Sequence, residues 1–497
     1  MKTGKSFIVG SAAAMMLAAG GAQAADLPIK AKPVEYVKVC SLYGAGFYYI
    51  PGTDTCLKIG GYLRAETAFA SNAIFQNATN GAAGANNRLS NYYTSRARAD
   101  LNVDTRTATE YGVVRTFFEG VFQWTTGGVT GSSPTTYTGD AIGGGTLGVF
   151  YAFIQFAGFT MGKAVSQFDA PWTNYPGNNF DGLTGGGGTV TGVNQLTYTA
   201  DFGQGITAAV SLQDPTLYTQ SNLWNVSTQT AAGVVTGAYG ASDFGGTRSP
   251  DIVGIVRIDQ AWGLFQASLA AHDNHAAYFG ATEITGHPAD KWGFAGQLAL
   301  SIKNIPTGPG DTLNVQGVYT NGASRYNFQS LAPINYAMYG GSNLAGAFQS
   351  LGFAGVSDAV FANGTQQQLT TTYGFRGAFT HNWNPFWNTA VYGSWSAVRY
   401  NATAKGLICN GAGFVELGIA GANCNPDFNI STLGVITRWT PVKNLTFSAD
   451  LAWTRLDQKF AGTATAPAVA AIAKPAAVYQ LRDQDSVSLL MRAQRNF

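Results

Sequence analysis

The side chains able to perform acid–base, nucleophilic or metal chemistry are few and poorly placed for it. The chain has four histidines, His272, His275, His287 and His381, and none belongs to an HExxH pattern. His272 and His275 with Asp273 form only a weak metal-binding constellation near a loop, and we interpret them as surface histidines. No Ser–His–Asp or Ser–His–Asn set can be assembled on one strand face. The sequence therefore predicts no enzyme, no resident metal and no cofactor.

The first 24 residues have the features of an export signal. A short basic start precedes the apolar stretch Ser6–Gly21, and the triplet Ala22–Ala24 has the A-x-A form of a cleavage site, so the mature chain is expected to begin at Ala25. Removing Lys2 and Lys5 reduces the 29 basic residues to 27, which equals the 27 acidic residues. This neutral balance argues against a nucleic-acid partner, which requires a basic face.

Four cysteines fall into two local pairs, Cys40 with Cys56 and Cys409 with Cys424. An even number of cysteines, with short separations and in an exported chain, favours two disulfides formed in the oxidising periplasm. Closing a loop of about 15 residues stabilises a fold by about 3 kcal/mol in the chain-entropy model. Neither pair has CxxC spacing or a nearby histidine, so the cysteines do not predict zinc.

The composition indicates a protein whose apolar residues are spread along strands. Charged residues make up only 11% of the chain, aromatic residues 13%, and glycine 63 of the 497 residues. After the export signal, the segment most similar to a spanning helix is Ala464–Val478, but Pro467, Lys474 and Pro475 interrupt it, and we interpret it as a low-complexity loop. Few charges without a spanning helix fit a β-barrel in a membrane. A large secreted β-sandwich or solenoid is the alternative, and it would carry a more charged surface.

Alternation of apolar and polar residues recurs from Leu57 to the terminal Phe497. About sixteen such segments, each of roughly 8–12 residues, can be delimited, and the last of them, Asp485–Phe497, separates cleanly into an apolar and a polar face. Short turns alternate with long loops, for example Asp214–Pro250 and Asn321–Gln368. The sequence therefore predicts an all-β fold, a transmembrane antiparallel β-barrel of about 16 strands with short periplasmic turns and long extracellular loops.

Charged side chains occupy the polar face of these segments. Arg96 and Arg98, two residues apart, share a face, and the residues on the opposite face are apolar. A lipid-facing arginine at mid-depth would cost about 2–4 kcal/mol, so we expect both in the lumen, together with Arg64 and Arg115. The alternative for each is a salt bridge in the wall, such as Arg98 with Asp100 or Glu66. By the same argument, the secondary lumen-facing residues are Glu66, Asp100, Glu119, Arg376, Arg438 and Arg492.

Two long motifs resemble one family of outer-membrane proteins. Pro33–Glu66, PVEYVKVCSLYGAGFYYIPGTDTCLKIGGYLRAE, closely resembles the opening of the alphaproteobacterial general porins, and Tyr151–Ala164, YAFIQFAGFTMGKA, resembles another of their motifs, as does Phe497. The resemblance implies a sixteen-stranded trimeric porin of the cell outer membrane, with its third outer loop folded into the pore. We divide the chain accordingly into a signal peptide (1–24), a periplasmic N-terminal segment with a disulfide loop (25–56) and the barrel (57–497).

Residues Ser166–Val193 match the constriction loop of these porins in position. Asp169 and Asp181 are the only acidic residues of this loop, and we hypothesise that they form the negative side of the pore constriction. The alternative is that each caps a turn, as aspartate often does. Arg64, Arg96, Arg98 and Arg115 would form the positive side, and the resulting transverse field would orient hydrated solutes. Gly185–Gly188 lacks the strand, the helix and the lysine of a phosphate-binding loop, and we interpret it as flexible.

The resemblance favours passive, size-limited diffusion of small hydrophilic solutes and ions through an outer-membrane homotrimer. Two other functions are compatible with alternating strands and long outer loops. One is an adhesin or structural barrel whose loops bind a partner while the lumen is blocked. The other is a substrate-specific channel with saturable transport. The expected surroundings in every case are outer-membrane lipid, with no nucleic acid.

Overall fold

The computed structural model describes residues 38–70, 75–76, 92–125, 146–216, 218–470 and 473–497. The predicted signal peptide and the first part of the N-terminal segment lie outside these residues. Within the described ranges, no helix is both long and apolar enough to cross a membrane.

Sixteen strands of the described residues form one antiparallel barrel. In chain order they are β1 (Thr55–Ala70), β2 (Tyr93–Thr109), β3 (Gly112–Thr125), β4 (Thr146–Phe156), β5 (Phe159–Ala164), β6 (Val193–Asp201), β7 (Ile206–Gln213), β8 (Asp251–Gln260), β9 (Gly263–Asn274), β10 (Lys291–Lys303), β11 (Thr312–Asn321), β12 (Thr371–Asn384), β13 (Trp387–Arg399), β14 (Phe428–Val442), β15 (Leu445–Gln458) and β16 (Gln484–Asn496). The predicted architecture is confirmed, and β1 begins two residues before the predicted start of the barrel.

The barrel closes because its last strand pairs with its first. Tyr62 lies opposite Asn496, and the register continues to Ala70 opposite Ser488. The terminal Phe497 extends this pairing, since its backbone N–H donates to the carbonyl oxygen of Gly61 over 3.0 Å. Closure leaves no free sheet edge, which a strand assembly needs inside a bilayer that offers no hydrogen bonds.

The two faces of the strands are inverted relative to a soluble protein. On β9, Leu269 is 69% exposed on the outside, whereas Gln266 and Ser268 are buried inside. Leu298 and Gln297 on β10 have the same relationship. Alternate side chains point to opposite faces of a strand. An apolar outer surface and a polar interior are therefore the expected arrangement for a barrel that faces lipid and encloses water.

Short turns join the strands at one end, and long loops join them at the other. Ala157-Gly158 connects β4 to β5 with both residues at positive φ (49° and 85°), which matches the twist of a two-residue hairpin. The loops at the opposite end include the third one, between β5 and β6, as the sequence predicts. We take the end with the short turns as periplasmic.

The outer loops between β7 and β8, β11 and β12, β13 and β14, and β15 and β16 pack together into a folded unit, which we call the outer cap. Trp224, Tyr239, Phe353, Phe414 and Phe460 lie at its centre, with ring centroids 4.6–6.4 Å apart. Its strands are Asn222–Asn225, Ala241–Ser242, Ser357–Phe361 and Gln368–Leu369 in one sheet, and Asn335–Gly340, Gln349–Gly355, Thr463–Ala466 and Ala477–Leu481 in another. Its helices are α1 (Ala231–Val234), α2 (Ala402–Cys409) and α3 (Ala412–Glu416).

The outer cap corrects one expectation from the sequence. Ala464–Val478 was expected to be a loop, but its two ends belong to paired strands, in which Ala464 lies opposite Tyr479.

Both predicted disulfides, Cys40–Cys56 and Cys409–Cys424, are present. The second lies in the outer cap. The first closes a hairpin before β1, in which strand Tyr48–Tyr49 pairs with the start of β1. Single 3₁₀ turns occur at Ser41–Tyr43, Val226–Thr228, Ser324–Tyr326 and Gly421–Asn423.

Candidate functional site

The third loop folds into the barrel and is fixed against one side of the wall. The wall residues that hold it lie on β9, β10, β11 and β14, where amide and guanidinium groups face the lumen. They donate to loop carbonyl oxygens over 2.6–3.0 Å, Gln266 to Asp169, Gln297 to Phe168, Asn314 to Pro176 and Arg438 to Gly177. The loop therefore divides the lumen, with this wall on one side and β1–β4 on the other.

Arg376 of β12 is a further, deeply buried anchor of the loop. It is 1% exposed, and its guanidinium donates to the carbonyl oxygens of Leu183 (3.0 Å), Gly187 (2.5 Å) and Thr173. A buried guanidinium requires acceptors for its N–H groups, and the loop backbone supplies them for Nη1 and Nη2. Arg376 faces inward as expected, but it is covered by the loop and does not line open water.

Close approach explains the glycine run of the loop. A Cβ on Gly185 would lie 2.3 Å from the carbonyl oxygen of Phe375, and one on Gly188 would lie 1.9 Å from Asn174 Oδ1. The φ of Gly185 is also positive, at 98°. The interpretation of Gly185–Gly188 as a flexible segment is therefore wrong. Glycine is needed at Gly185 because the loop backbone lies directly on the wall, and at Gly188 because it lies against the Asn174 side chain of the same loop.

Asp169 does not reach the opening that the sequence assigned to it. Its carboxylate is 2% exposed and accepts hydrogen bonds from the backbone N–H and the hydroxyl of Thr189, over 2.5 and 2.9 Å. Thr189 lies at the other end of the loop, so this contact holds the two ends of the loop together. Neither a role at the constriction nor a turn cap describes Asp169, because its partner Thr189 lies 20 positions later in the chain.

Asp181 lies on the opposite edge of the loop, toward β1 and β2. Its Oδ1 accepts a hydrogen bond from the Tyr175 hydroxyl over 2.8 Å, and its Oδ2 is 3.5 Å from Arg96 Nη1. The guanidinium of Arg96 lies 3.9 Å from the centre of the Phe75 ring. Of the two acids of the loop, Asp181 is the one that faces the arginine-bearing wall.

The arginines of this wall differ in how their charge is balanced. Glu66 is buried between Arg96, which it contacts, and Arg492, whose Nε is 2.6 Å from Glu66 Oε2. Arg64 and Arg98 instead donate to neutral amide oxygens, those of Gln494 (2.8 Å) and Gln123 (2.7 Å). The alternative of a salt bridge between Arg98 and Asp100 or Glu66 is not found among the described contacts. Arg64 and Arg98 therefore form no ion pair within 4 Å of a carboxylate among the described residues.

A cavity of about 550 Å³ lies between the loop and this wall. It brings together Asp181 with Glu119, Arg64, Arg96, Arg98 and Arg492.

Other predicted residues lie elsewhere. Arg376 and Arg438 anchor the loop, Asp100 is buried beside Asn102, and Arg115 lies nearer the periplasmic end, paired with Asp104. Lining residues that the sequence analysis missed are Tyr62, Gln123, Tyr151, Tyr175, Asn178 and Asn179. Tyr62 lies two residues before Arg64 and so on the same face of β1, which the alternation pattern could have predicted. The loop residues belong to no strand, so no alternation pattern predicts where they point.

His272 is buried, which corrects its interpretation as a surface residue. Its Nδ1 is 2.7 Å from Asp251 Oδ1, and its Nε2 is 3.6 Å from Asp358 Oδ2. Asp358 also accepts hydrogen bonds from the backbone N–H groups of Ser221 and Ser324, which belong to two outer loops. This buried network fastens the outer cap to the barrel rim. The described residues contain no group of side chains arranged to hold a metal ion.

A closed sixteen-stranded barrel with an apolar exterior, and an internal loop that faces an arginine-bearing wall, defines the class of outer-membrane channel barrels. The sequence profile of the Porin subfamily matches residues 26–490, and the chain belongs to this family. Membership confirms the predictions of a porin, of an outer-membrane location and of a protein that is not an enzyme.

Individual relatives are similar over part of their length. Porin Omp2b of Brucella suis biovar 1 and Porin Omp2b of Brucella melitensis biotype 1 are each 36% identical to the chain over 214 residues, which are 42% of this chain and 53% of each relative. The matched part thus spans about half the length of these relatives. The outer membrane channel DcaP of Acinetobacter baumannii has the same fold, with a TM-score of 0.56 and 13% identity over 90% of this chain and 99% of that one.

Proposed function

We propose that the protein forms a water-filled channel through which small hydrophilic solutes and ions diffuse passively across the outer membrane. The observation that carries this proposal is the cavity between the third loop and β1–β4, whose lining is charged and polar. A channel sorts solutes by its radius and by the charges at its narrowest part. Asp181 on the loop and Arg64 and Arg98 on the wall are the groups to which we assign that role.

The balance of charge around the cavity favours anions. Among the described lining residues, the guanidinium groups of Arg64, Arg96, Arg98 and Arg492 face the carboxylates of Asp181 and Glu119. The buried Glu66 offsets part of the charge of Arg96 and Arg492. Four guanidinium groups against these three carboxylates leave an excess of one positive charge, so we expect a modest preference for anions. The field between the two sides orients a hydrated solute without binding it tightly.

We further propose that three copies assemble into a homotrimer, as the resemblance to general porins implies. The outer face of β16, β1 and β2 is the place where we expect contact between copies. Leu63 and the small residues Ala65, Ala97, Ala99 and Ala493 line an apolar groove of about 720 Å³ there. Small residues allow two surfaces to approach closely without a cavity between them.

Planar-bilayer conductance of the refolded protein tests this function, with the reversal potential recorded under a salt gradient. Stepwise openings that close in thirds are expected for a trimer of diffusion channels, and a reversal potential of anionic sign is expected from the lining. Saturable transport of one solute would favour a substrate-specific channel instead. A folded, inserted barrel that carries no current would rule out diffusion and favour a binding role for the outer cap.

A further inference from the structure

The disulfide-bonded hairpin before β1 is a compact element with its own small core. We call residues 38–54 the N-terminal hairpin. Cys40, Phe47 and Cys56 are buried against one another. The backbone N–H of Cys40 donates to the carbonyl oxygen of Phe47 over 2.9 Å, and that of Tyr49 to Lys38 over 2.8 Å. The hairpin is therefore held in one shape by its disulfide and by its backbone pairing.

This hairpin lies against the inner wall of the barrel at the periplasmic end. Cys56 is the cross-strand partner of Arg106, which is three residues before the end of β2 and on the same face as Asp104. The guanidinium of Arg106 is 4.9 Å from the centre of the Phe47 ring and 5.6 Å from that of Tyr43. Because Arg106 faces the lumen, the aromatic side of the hairpin faces the lumen as well.

A second cavity, of about 530 Å³, opens beside the hairpin. Its polar lining comes from Arg106, Arg115, Gln155, Thr160 and Thr199, which are lumen-facing positions on β2 to β6, and Tyr43 of the hairpin completes it. None of these residues lines the cavity at the third loop. A solute that leaves the first cavity toward the periplasm meets this second one in series.

The second cavity is also rich in positive charge. Asp104 is shared by Arg106 and Arg115, each with an Nη2 atom 3.0 Å from Asp104 Oδ2. Both arginine side chains keep more than a quarter of their surface exposed, at 29% and 28%. Lys58 lies opposite Asp104 on β1, with its ammonium 5.8 Å from the Phe47 ring. One carboxylate thus faces three cations, and exposed guanidinium edges are good donors to small anions.

We propose that this periplasmic vestibule, formed by Lys58, Arg106, Arg115 and the N-terminal hairpin, is a second selectivity site for small anions, in series with the opening at the third loop. The Cys40–Cys56 disulfide keeps the hairpin in the periplasmic mouth, where Tyr43 narrows the exit. This inference rests on the proposed diffusion function, because it requires that ions pass through the lumen.

The test uses the full-length refolded protein in planar bilayers, with chloride as the anion. R106Q removes a vestibule charge and should shift the reversal potential toward cations. Y43A and the double variant C40S/C56S should raise single-channel conductance, because each opens the periplasmic mouth. The matched controls are K459Q, which removes a cation of the outer cap, and C409S/C424S, which removes the other disulfide. Both controls should leave conductance and selectivity unchanged.

The possible results separate this inference from the function on which it rests. If the wild-type protein inserts but carries no current, the channel function itself fails. If the wild-type protein conducts, and R106Q, Y43A and C40S/C56S all match it in conductance and reversal potential, the vestibule is not a selectivity site. Y43A leaves both disulfides in place, so it remains informative even if the double cysteine variant does not refold.

Discussion

Asp181 of the third loop and Arg96 of β2 meet across the lumen, with 3.5 Å between Asp181 Oδ2 and Arg96 Nη1. Arg96 also contacts the buried Glu66, which in turn contacts Arg492. The loop carboxylate therefore belongs to a row of alternating charged side chains that ends at Arg492. This contact links the loop to the wall opposite its anchors. It also places the one acid of the loop that reaches the cavity beside the cations to which we assign selectivity.

Replacing Asp181 by asparagine should increase the preference for anions. The change removes a negative charge from the cavity and leaves Arg64 and Arg98 in place. A unit charge about 4 Å from an ion changes its energy by about 1 kcal/mol in water, so the permeability ratio should change by at most about fivefold. Reversal potential under a KCl gradient measures it. D214N, in an exposed outer loop, is the matched control, and an unchanged potential in D181N would remove Asp181 from the constriction.

Replacing Arg376 by methionine should loosen the third loop while the barrel stays closed. Methionine removes the donors to Leu183, Gly187 and Thr173. Each buried acceptor left without a partner costs about 1–3 kcal/mol. We expect noisier single-channel current and faster protease cleavage within 166–192. R455M, which changes an arginine in a surface ion pair, serves as the control. Quiet current and full protection in R376M would show that the other anchors suffice.

The barrel itself could be predicted from sequence because a strand in a membrane repeats a simple rule. Leu63 is exposed to the outside and Glu66 is buried inside, as the alternation on β1 requires. The cost of placing charge in lipid is large and local, so each strand carries its own orientation signal. The number of strands and the alternation of turns and loops follow from that signal alone.

The site was harder to predict because its members depend on contacts between distant parts of the chain. Asp169 and Asp181 are both aspartates of the same loop and look alike in sequence. In the structure, however, Thr189 donates hydrogen bonds to Asp169, whereas Asp181 faces Arg96. His272 looked like a loop residue, although Asp358, 86 positions later, covers it. No local pattern records these pairings, since each is decided by how the loops pack.

Replacing Asp358 by alanine should release the outer cap from the barrel rim. Its carboxylate accepts from the backbone of Ser221 and Ser324 and faces His272, and all of these groups are buried. Breaking one partner of such a network costs about 3–5 kcal/mol. Limited proteolysis should therefore cut the loops 214–250 and 322–370 sooner than in the wild type. D259A, at the exposed ion pair with Lys303 on the barrel strands, should leave the cutting rate unchanged. Equal protection in D358A would mean that the aromatic core alone holds the cap.

We expect the outer cap to become more stable as the pH rises into the alkaline range, because of the buried Lys474. It is buried, with Nζ 2.8 Å from Gln349 Oε1 and 4.3 Å from the centre of the Tyr339 ring, and burial lowers the pKa of Lys474 to about 8. An exposed lysine has a pKa of about 10.4, so the unfolded cap binds this proton more tightly than the folded cap does. Unfolding therefore takes up a proton between about pH 8 and 10.4, and raising the pH through that window stabilises the folded cap.

The measurement is the rate of proteolysis of the outer cap at pH 7, 8, 9 and 10, compared between wild type and K474M. Methionine fills similar space without a charge to bury. The difference between the two proteins isolates Lys474 from other groups that titrate at high pH. We expect K474M to be the more protected protein at pH 7, and this advantage to shrink as the pH rises and the lysine loses its proton. An advantage that is independent of pH would show that Lys474 stays charged in the folded cap, held by Gln349 and Tyr339.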